Sequence, residues 1–100
     1  MENFSTQTDL TTLPNIGPVV AQRLREVGIA TAQELRAIGS ENAFLRLQTV
    51  DAGACLHELM GLEGAVQGIR KYNLDNARKQ ELKQFYKQTQ RTTEHLTTTK

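Results

Sequence analysis

The nucleophilic or metal-ligating side chains in this 100-residue chain are few: one cysteine, Cys55, and two histidines, His57 and His95. Cys55 and His57 are two residues apart, and side chains at that spacing splay on a helix instead of meeting. Neither histidine has a cysteine or carboxylate at metal-ligand spacing. Gly64 to Gly68 falls inside a helical stretch with no following Lys-Ser/Thr, so it is not a nucleotide phosphate loop. The expectation is a protein without enzyme chemistry: no catalytic residue, no metal, no cofactor and no small-molecule substrate. Cys55 reads as a small buried hydrophobe.

Phosphate chemistry has better support. Leu13-Pro14-Asn15-Ile16-Gly17-Pro18 combines two prolines with a glycine and predicts a tight turn running into a helix at Pro18. Such a turn offers backbone N–H groups beside a helix N-terminus, where an anion is stabilised. Charge is divided unevenly. Met1 to Ile69 holds four basic and eight acidic residues, a net charge near −4, whereas Arg70 to Arg91 holds seven basic and two acidic, near +5; the whole chain is +1. Electrostatic attraction for nucleic acid therefore belongs to the C-terminal third. There Lys79, Lys83, Lys87 and Arg91 recur every four residues, drifting about 40° per step on a helix, and form one basic stripe. Leu82, Phe85 and Tyr86 fall on the other side. The stripe reads either as a solvated face or as a contact for phosphate or an acidic partner.

The elements that position these groups are all helical. Asp9 caps a short turn through Leu13. A first helix runs about Pro18–Val27 and closes at Gly28. Thr31-Ala32-Gln33-Glu34 is a capping box that starts a second, ending before Gly39. Ser40 caps a third, with Phe44, Leu45, Leu47 and Val50 turned inward. Asp51-Ala52-Gly53 breaks it. A long apolar helix follows from about Ala54 to Ile69, and Lys71-Tyr72-Asn73 is a linker. Asp75 or Asn76 caps a final amphipathic helix to about Gln90. No stretch alternates with period two, so no strand is expected. The domain occupies residues 9–90, between a flexible N-terminus (1–8) and a polar tail (91–100).

Two features of the apolar helix call for partners. Gly61, Gly64 and Gly68 lie with Ala65 on one flank, and each interior glycine costs about 1 kcal/mol against alanine. Close approach of another backbone explains them, from a helix of the same chain or from a second copy. Glu63 projects into the apolar arc, where a carboxylate needs a partner; Arg46, Arg70 and the hairpin amides are candidates.

The run from Leu13 to Ile29 resembles the helix-hairpin-helix motif. Together with Thr31–Leu35, then Leu62-Glu63-Gly64-Ala65-Val66-Gln67-Gly68-Ile69-Arg70, then Leu74 and Ala77-Arg78-Lys79-x-Glu81-Leu82, it resembles the C-terminal domain of the TfoX/Sxy competence regulators over roughly residues 9 to 88. The resemblance implies an all-α fold: five to six short helices in a helix-hairpin-helix (SAM-like) bundle plus a C-terminal amphipathic helix. It also implies a place in the regulation of DNA uptake, here in a domain standing without the family's N-terminal domain. Asn15 replaces the first turn glycine, and Asn tolerates a left-handed backbone better than most residues. Val19 stands where a phosphate-assisting Lys or Arg would be, and the Val19-Val20 pair suits a protein contact equally.

Two readings follow. In one, a regulatory module binds double-stranded DNA weakly and without sequence preference through Asn15, Ile16, Gly17, Val19 and Arg23 at the hairpin and Lys79, Lys83, Lys87 and Arg91 on the last helix. In the other, a homodimer or a regulatory protein docks on Val19-Val20 or on the flank of Gly61, Gly64, Ala65 and Gly68. No apolar run approaches the ~20 residues of a membrane span, and the start lacks the pattern of a signal peptide. A lone cysteine fits a reducing compartment, so the expected location is the cytoplasm.

Overall fold

Asp9 begins the first element by local chemistry: its carboxylate accepts a hydrogen bond from Thr11 N–H and caps a 3-10 turn over Leu10–Thr12. The computed structural model describes residues 9–51 and 53–98, with side chains as far as residue 90. Residues 1–8, expected to be flexible, lie outside that range, as do the last two residues. Among the described residues there are five α-helices and no strand.

Helix α1, Pro18–Glu26, starts at proline as its fixed φ favours. It ends in a Schellman motif: Gly28, at φ +88°, donates to Arg25 O, and Ile29 donates to Leu24 O. Helix α2, Ala32–Ile38, opens with the Thr31 hydroxyl accepting from Glu34 N–H, while Glu34 reaches back to Ala30 N–H at 2.6 Å. Helix α3, Ser40–Val50, follows directly. Ser40 does not cap it. Gly39 occupies the N-cap position, and the Ser40 hydroxyl points inward to Glu63 at 2.6 Å. Phe44 and Leu47 are buried as expected, but Leu45 and Val50 are exposed. Leu45 is one residue, hence 100°, from Phe44, and Val50 is the last residue of its helix; Ala43 and Ser40 complete the inner face instead.

Helix α4, Leu56–Gln67, is shorter at both ends than its apolar run. Cys55 takes the N-cap position and is only partly buried, so it is not a core residue. After a 3-10 turn over Lys71–Asn73, Asp75 accepts from Ala77 N–H and starts helix α5, Asn76–Thr98. This helix runs eight residues beyond the expected end at Gln90; no glycine or proline lies there to stop it.

The core is one cluster. Helix α4 sits at its centre and packs chiefly against α3 and α5. Leu59, Leu62 and Ala65 of α4 meet Phe44 and Leu47 of α3 and Leu82 of α5 in the buried set, with Leu24, Leu35 and Ile29 closing the other side. Phe44 and Tyr86 place their ring centroids 6.0 Å apart at a tilted 57°, a favourable aromatic arrangement.

Candidate nucleic-acid interface

The hairpin turn is built around Asn15, whose backbone is left-handed at φ +70°. Its side chain does not face solvent. Nδ2 donates to Ile69 O at 3.0 Å and to Gly61 O at 3.3 Å, and Oδ1 accepts from Lys71 N–H at 3.2 Å. One amide thus ties the hairpin to the middle of α4 and to the chain leaving it. Both polar atoms of the side chain are engaged internally, so the Asn15 amide is unavailable to a phosphate.

The glycine flank packs against this clasp. A Cβ on Gly64 would stand 2.5 Å from Asn15 Nδ2 and 2.6 Å from Ile69 O, and one on Gly61 would touch Asn15 Cβ at 3.4 Å. Gly61, Gly64 and Ala65 are all buried within the chain. The seam expected either within the chain or between copies is therefore intramolecular at these three positions. Gly68 serves a different purpose. It has open space around it and φ +79°, and it terminates α4 while Ile69 N–H bonds Gly64 O at 2.8 Å.

Glu63 is likewise satisfied from within. Oε1 accepts from the Ser40 hydroxyl at 2.6 Å and from Arg78 at 3.1 Å, and Oε2 accepts from Gln67 at 2.6 Å. The cation is Arg78 of α5, not Arg46 or Arg70. Arg46 instead donates to Val27 O at 3.1 Å, at the end of α1. Burial alone would push the Glu63 carboxyl up; the hydrogen bonds from Arg78, Ser40 and Gln67 outweigh it and hold the carboxyl below its ordinary value. Arg78 also pairs with Glu41 and Glu81, and its guanidinium is held more firmly protonated by Glu63 above all.

The remaining candidates separate by exposure. Ile16 is buried and Arg23 is paired with Asp51. Gly17 is exposed at the N-cap of α1, and Val19 is 63% exposed beside it. On α5, Lys83 and Lys87 are exposed and Lys79 is half-buried. Lys79 lies seven residues before Tyr86, about 20° away around the helix, so the start of the stripe borders the packed face and does not oppose it. None of these three lysines has an ion pair among the described residues. The Arg91 side chain lies outside the described residues. No group of three His, Cys, Asp or Glu stands together for a metal among the described residues.

Residues 6–86 match the TfoX C-terminal domain. The chain belongs to that family. The clasp and the Glu63–Arg78 network account for the family-like segments: Asn15 of the hairpin, Gly61 to Lys71, and Arg78 with Glu81 are the residues that interlock. Protein Sxy of Escherichia coli (strain K12) is 36% identical over 81 residues, which is 81% of this chain but 39% of that protein. The chain thus spans well under half the length of this curated relative. An uncharacterized protein from Listeria monocytogenes, crystallised in a triclinic form, superposes with a TM-score of 0.82 at 49% identity, covering 83% of this chain and 94% of the other. A protein of unknown function from Listeria monocytogenes, in a tetragonal form, gives a TM-score of 0.79 at 51% identity, covering 81% and 99%. The TfoX C-terminal domain is a regulatory, competence-type domain and not a known enzyme family. No helix among the described residues is long and apolar enough to cross a membrane.

Sequence reasoning missed Arg78 as the partner of Glu63, and it read Lys71-Tyr72-Asn73 as a linker and Arg70 as a candidate partner of Glu63. Tyr72 is 78% exposed, and the Lys71 ammonium lies 5.5 Å from its ring centroid. Two cations followed by an aromatic were the available signal.

Proposed function

We propose that this domain is a non-enzymatic regulatory module of the cytoplasm that contacts DNA phosphates through the lysine face of α5. The observation that carries this reading is the state of the charges around α5. Glu41, Glu63 and Glu81 are gathered on Arg78, while Lys83 and Lys87 stand exposed without an acidic partner among the described residues. Unpaired cations on one helix face attract a polyanion without reading its sequence. The hairpin adds little, since Asn15, Ile16 and Arg23 are engaged internally and Val19 is apolar. Only the amides at the start of α1 are left to it.

A second reading rests on Val19. An exposed valine beside Val20, where a phosphate site would place a cation, favours a protein partner or a second copy of the chain. The two are separated by titrating duplex DNA into the wild type and Lys83→Glu/Lys87→Glu at low and physiological salt, with oligomeric state measured on the same samples. The lysine reading predicts duplex binding at low salt that the double variant loses. Absent binding by the wild type, together with a Val19-dependent dimer, gives the function to the hairpin face.

A further inference from the structure

The segment that leaves α4 carries a second feature. Arg70, Lys71 and Tyr72 form a turn that is held on both sides: Lys71 N–H is bonded to Asn15, Asn73 N–H to Arg70 O at 2.9 Å, and Leu74 is buried. Between this turn, the hairpin and the first turns of α4 lies an open cleft of about 300 Å³. Ile16 and Val20 give it an apolar side, Glu58 lines it from α4, and Arg70, Lys71 and Tyr72 line it from the turn. We infer that this cleft binds a single unpaired nucleotide unit, its base stacked on Tyr72 and its phosphate against Arg70 and Lys71.

Each part of that ligand matches a feature of the cleft. An aromatic ring left 78% exposed is a stacking platform available to any base. One of its faces meets the Lys71 ammonium, which leaves the other for a ligand and fixes a cation beside it. Neither Arg70 nor Lys71 has an ion pair among the described residues. Arg70 and Lys71 line the cleft from the turn side, so the phosphate is directed to that end. A cleft near the small end of ligand sites has room for one nucleotide and none for a duplex, whose bases are in any case stacked on each other. The site is separate from the lysine face of α5 and stands or falls independently of it.

The test uses the full chain at about 50 mM salt, with two probes: a labelled single-stranded oligothymidylate and thymidine monophosphate. Tyr72→Ala should weaken binding about tenfold, the loss expected for one stacked base. Tyr72→Phe, which keeps the ring, should retain it, and Arg70→Glu/Lys71→Glu should abolish it. Thermal melting should be unchanged in all three, since these side chains lie outside the core. Binding of the oligonucleotide alone assigns the site to a strand, and equal dependence on Tyr72 with the monophosphate assigns it to the free nucleotide; either result supports the inference. Oligonucleotide binding that survives Tyr72→Ala but is lost in Lys83→Glu/Lys87→Glu overturns it while leaving the α5 reading intact. No binding of either probe by the wild type overturns it as well.

Discussion

Replacing Gly64 by alanine tests the clasp through a reversal of sign. In an ordinary helix interior the exchange is favourable by about 1 kcal/mol. In α4 the new Cβ would fall 2.5 Å from Asn15 Nδ2, 2.6 Å from Ile69 O and 3.2 Å from Lys71 N. The Asn15 amide can swing away only by giving up its bonds to Gly61, Ile69 and Lys71. Ile69 O cannot swing, because it is backbone and its own residue is tied to Gly64 O at 2.8 Å. Overpacking of this kind costs about 1–3 kcal/mol, and each lost hydrogen bond about 0.5–1.5 kcal/mol. With all three bonds given up, the net loss after the propensity gain is about 2–6 kcal/mol. At roughly 4–8 °C per kcal/mol for a domain of this size, the melting temperature should fall by about 10 °C or more, read by circular dichroism at 222 nm. In an Asn15→Gly background, which keeps the left-handed turn but removes the amide, the same substitution should cost less, because the two sites share one contact. An equal or higher melting temperature for Gly64→Ala, or additive losses in the double variant, would refute the clasp.

Gly68→Ala should also destabilise, by about 1 kcal/mol, through its left-handed backbone and not through contact, since nothing crowds that position. Glu63→Gln should cost about 1.5–2 kcal/mol at pH 7, the low end for losing hydrogen bonds to a charged group, because Arg78 is partly exposed and keeps Glu41 and Glu81. The folded carboxyl of Glu63 lies below its ordinary value, so its stabilisation is present above the unfolded pKa and is lost as pH falls through the folded one. Urea titrations at pH 7 and pH 3 should therefore show the gap between wild type and Glu63→Gln closing in acid. Glu58 has the opposite sign: burial first, then the nearby Asp51, pushes its carboxyl up. Glu58→Gln should stabilise at pH 7, and the gain should vanish once acid protonates the wild-type carboxyl. Lys83→Glu/Lys87→Glu should leave the melting temperature nearly unchanged, within about 0.5 kcal/mol per site, as both lysines are exposed.

What the sequence revealed of this fold was local. Pro18 as the first residue of α1, the Gly28 closure, the Thr31–Glu34 cap and a left-handed Asn15 follow from the preferences of a few neighbouring residues. The partners of Asn15 lie 46, 54 and 56 residues away, and nothing in their spacing shows that they meet it. Glu63 announced a need for a partner, yet the arginines weighed for it were Arg46 and Arg70, and Arg78 reaches it only because α5 packs on α4. Ser40 was ambiguous for a chemical reason: one hydroxyl can cap its own helix or bond inward, and a buried carboxylate decided the matter. The candidate site was legible to a similar degree. The lysine repeat was plain, but its exposed part begins only at Lys83. The hairpin, read as a phosphate grip, serves chiefly to bind the chain to itself.

The salt dependence of duplex binding tests the lysine face most directly. Contacts from the exposed Lys83 and Lys87 would give a log–log slope of about −1.8, with affinity falling about tenfold between about 50 and 200 mM salt. Reversing Lys83 and Lys87 should remove that salt-dependent binding. A slope unchanged by the reversal, or no duplex binding by the wild type at low salt, would contradict the account.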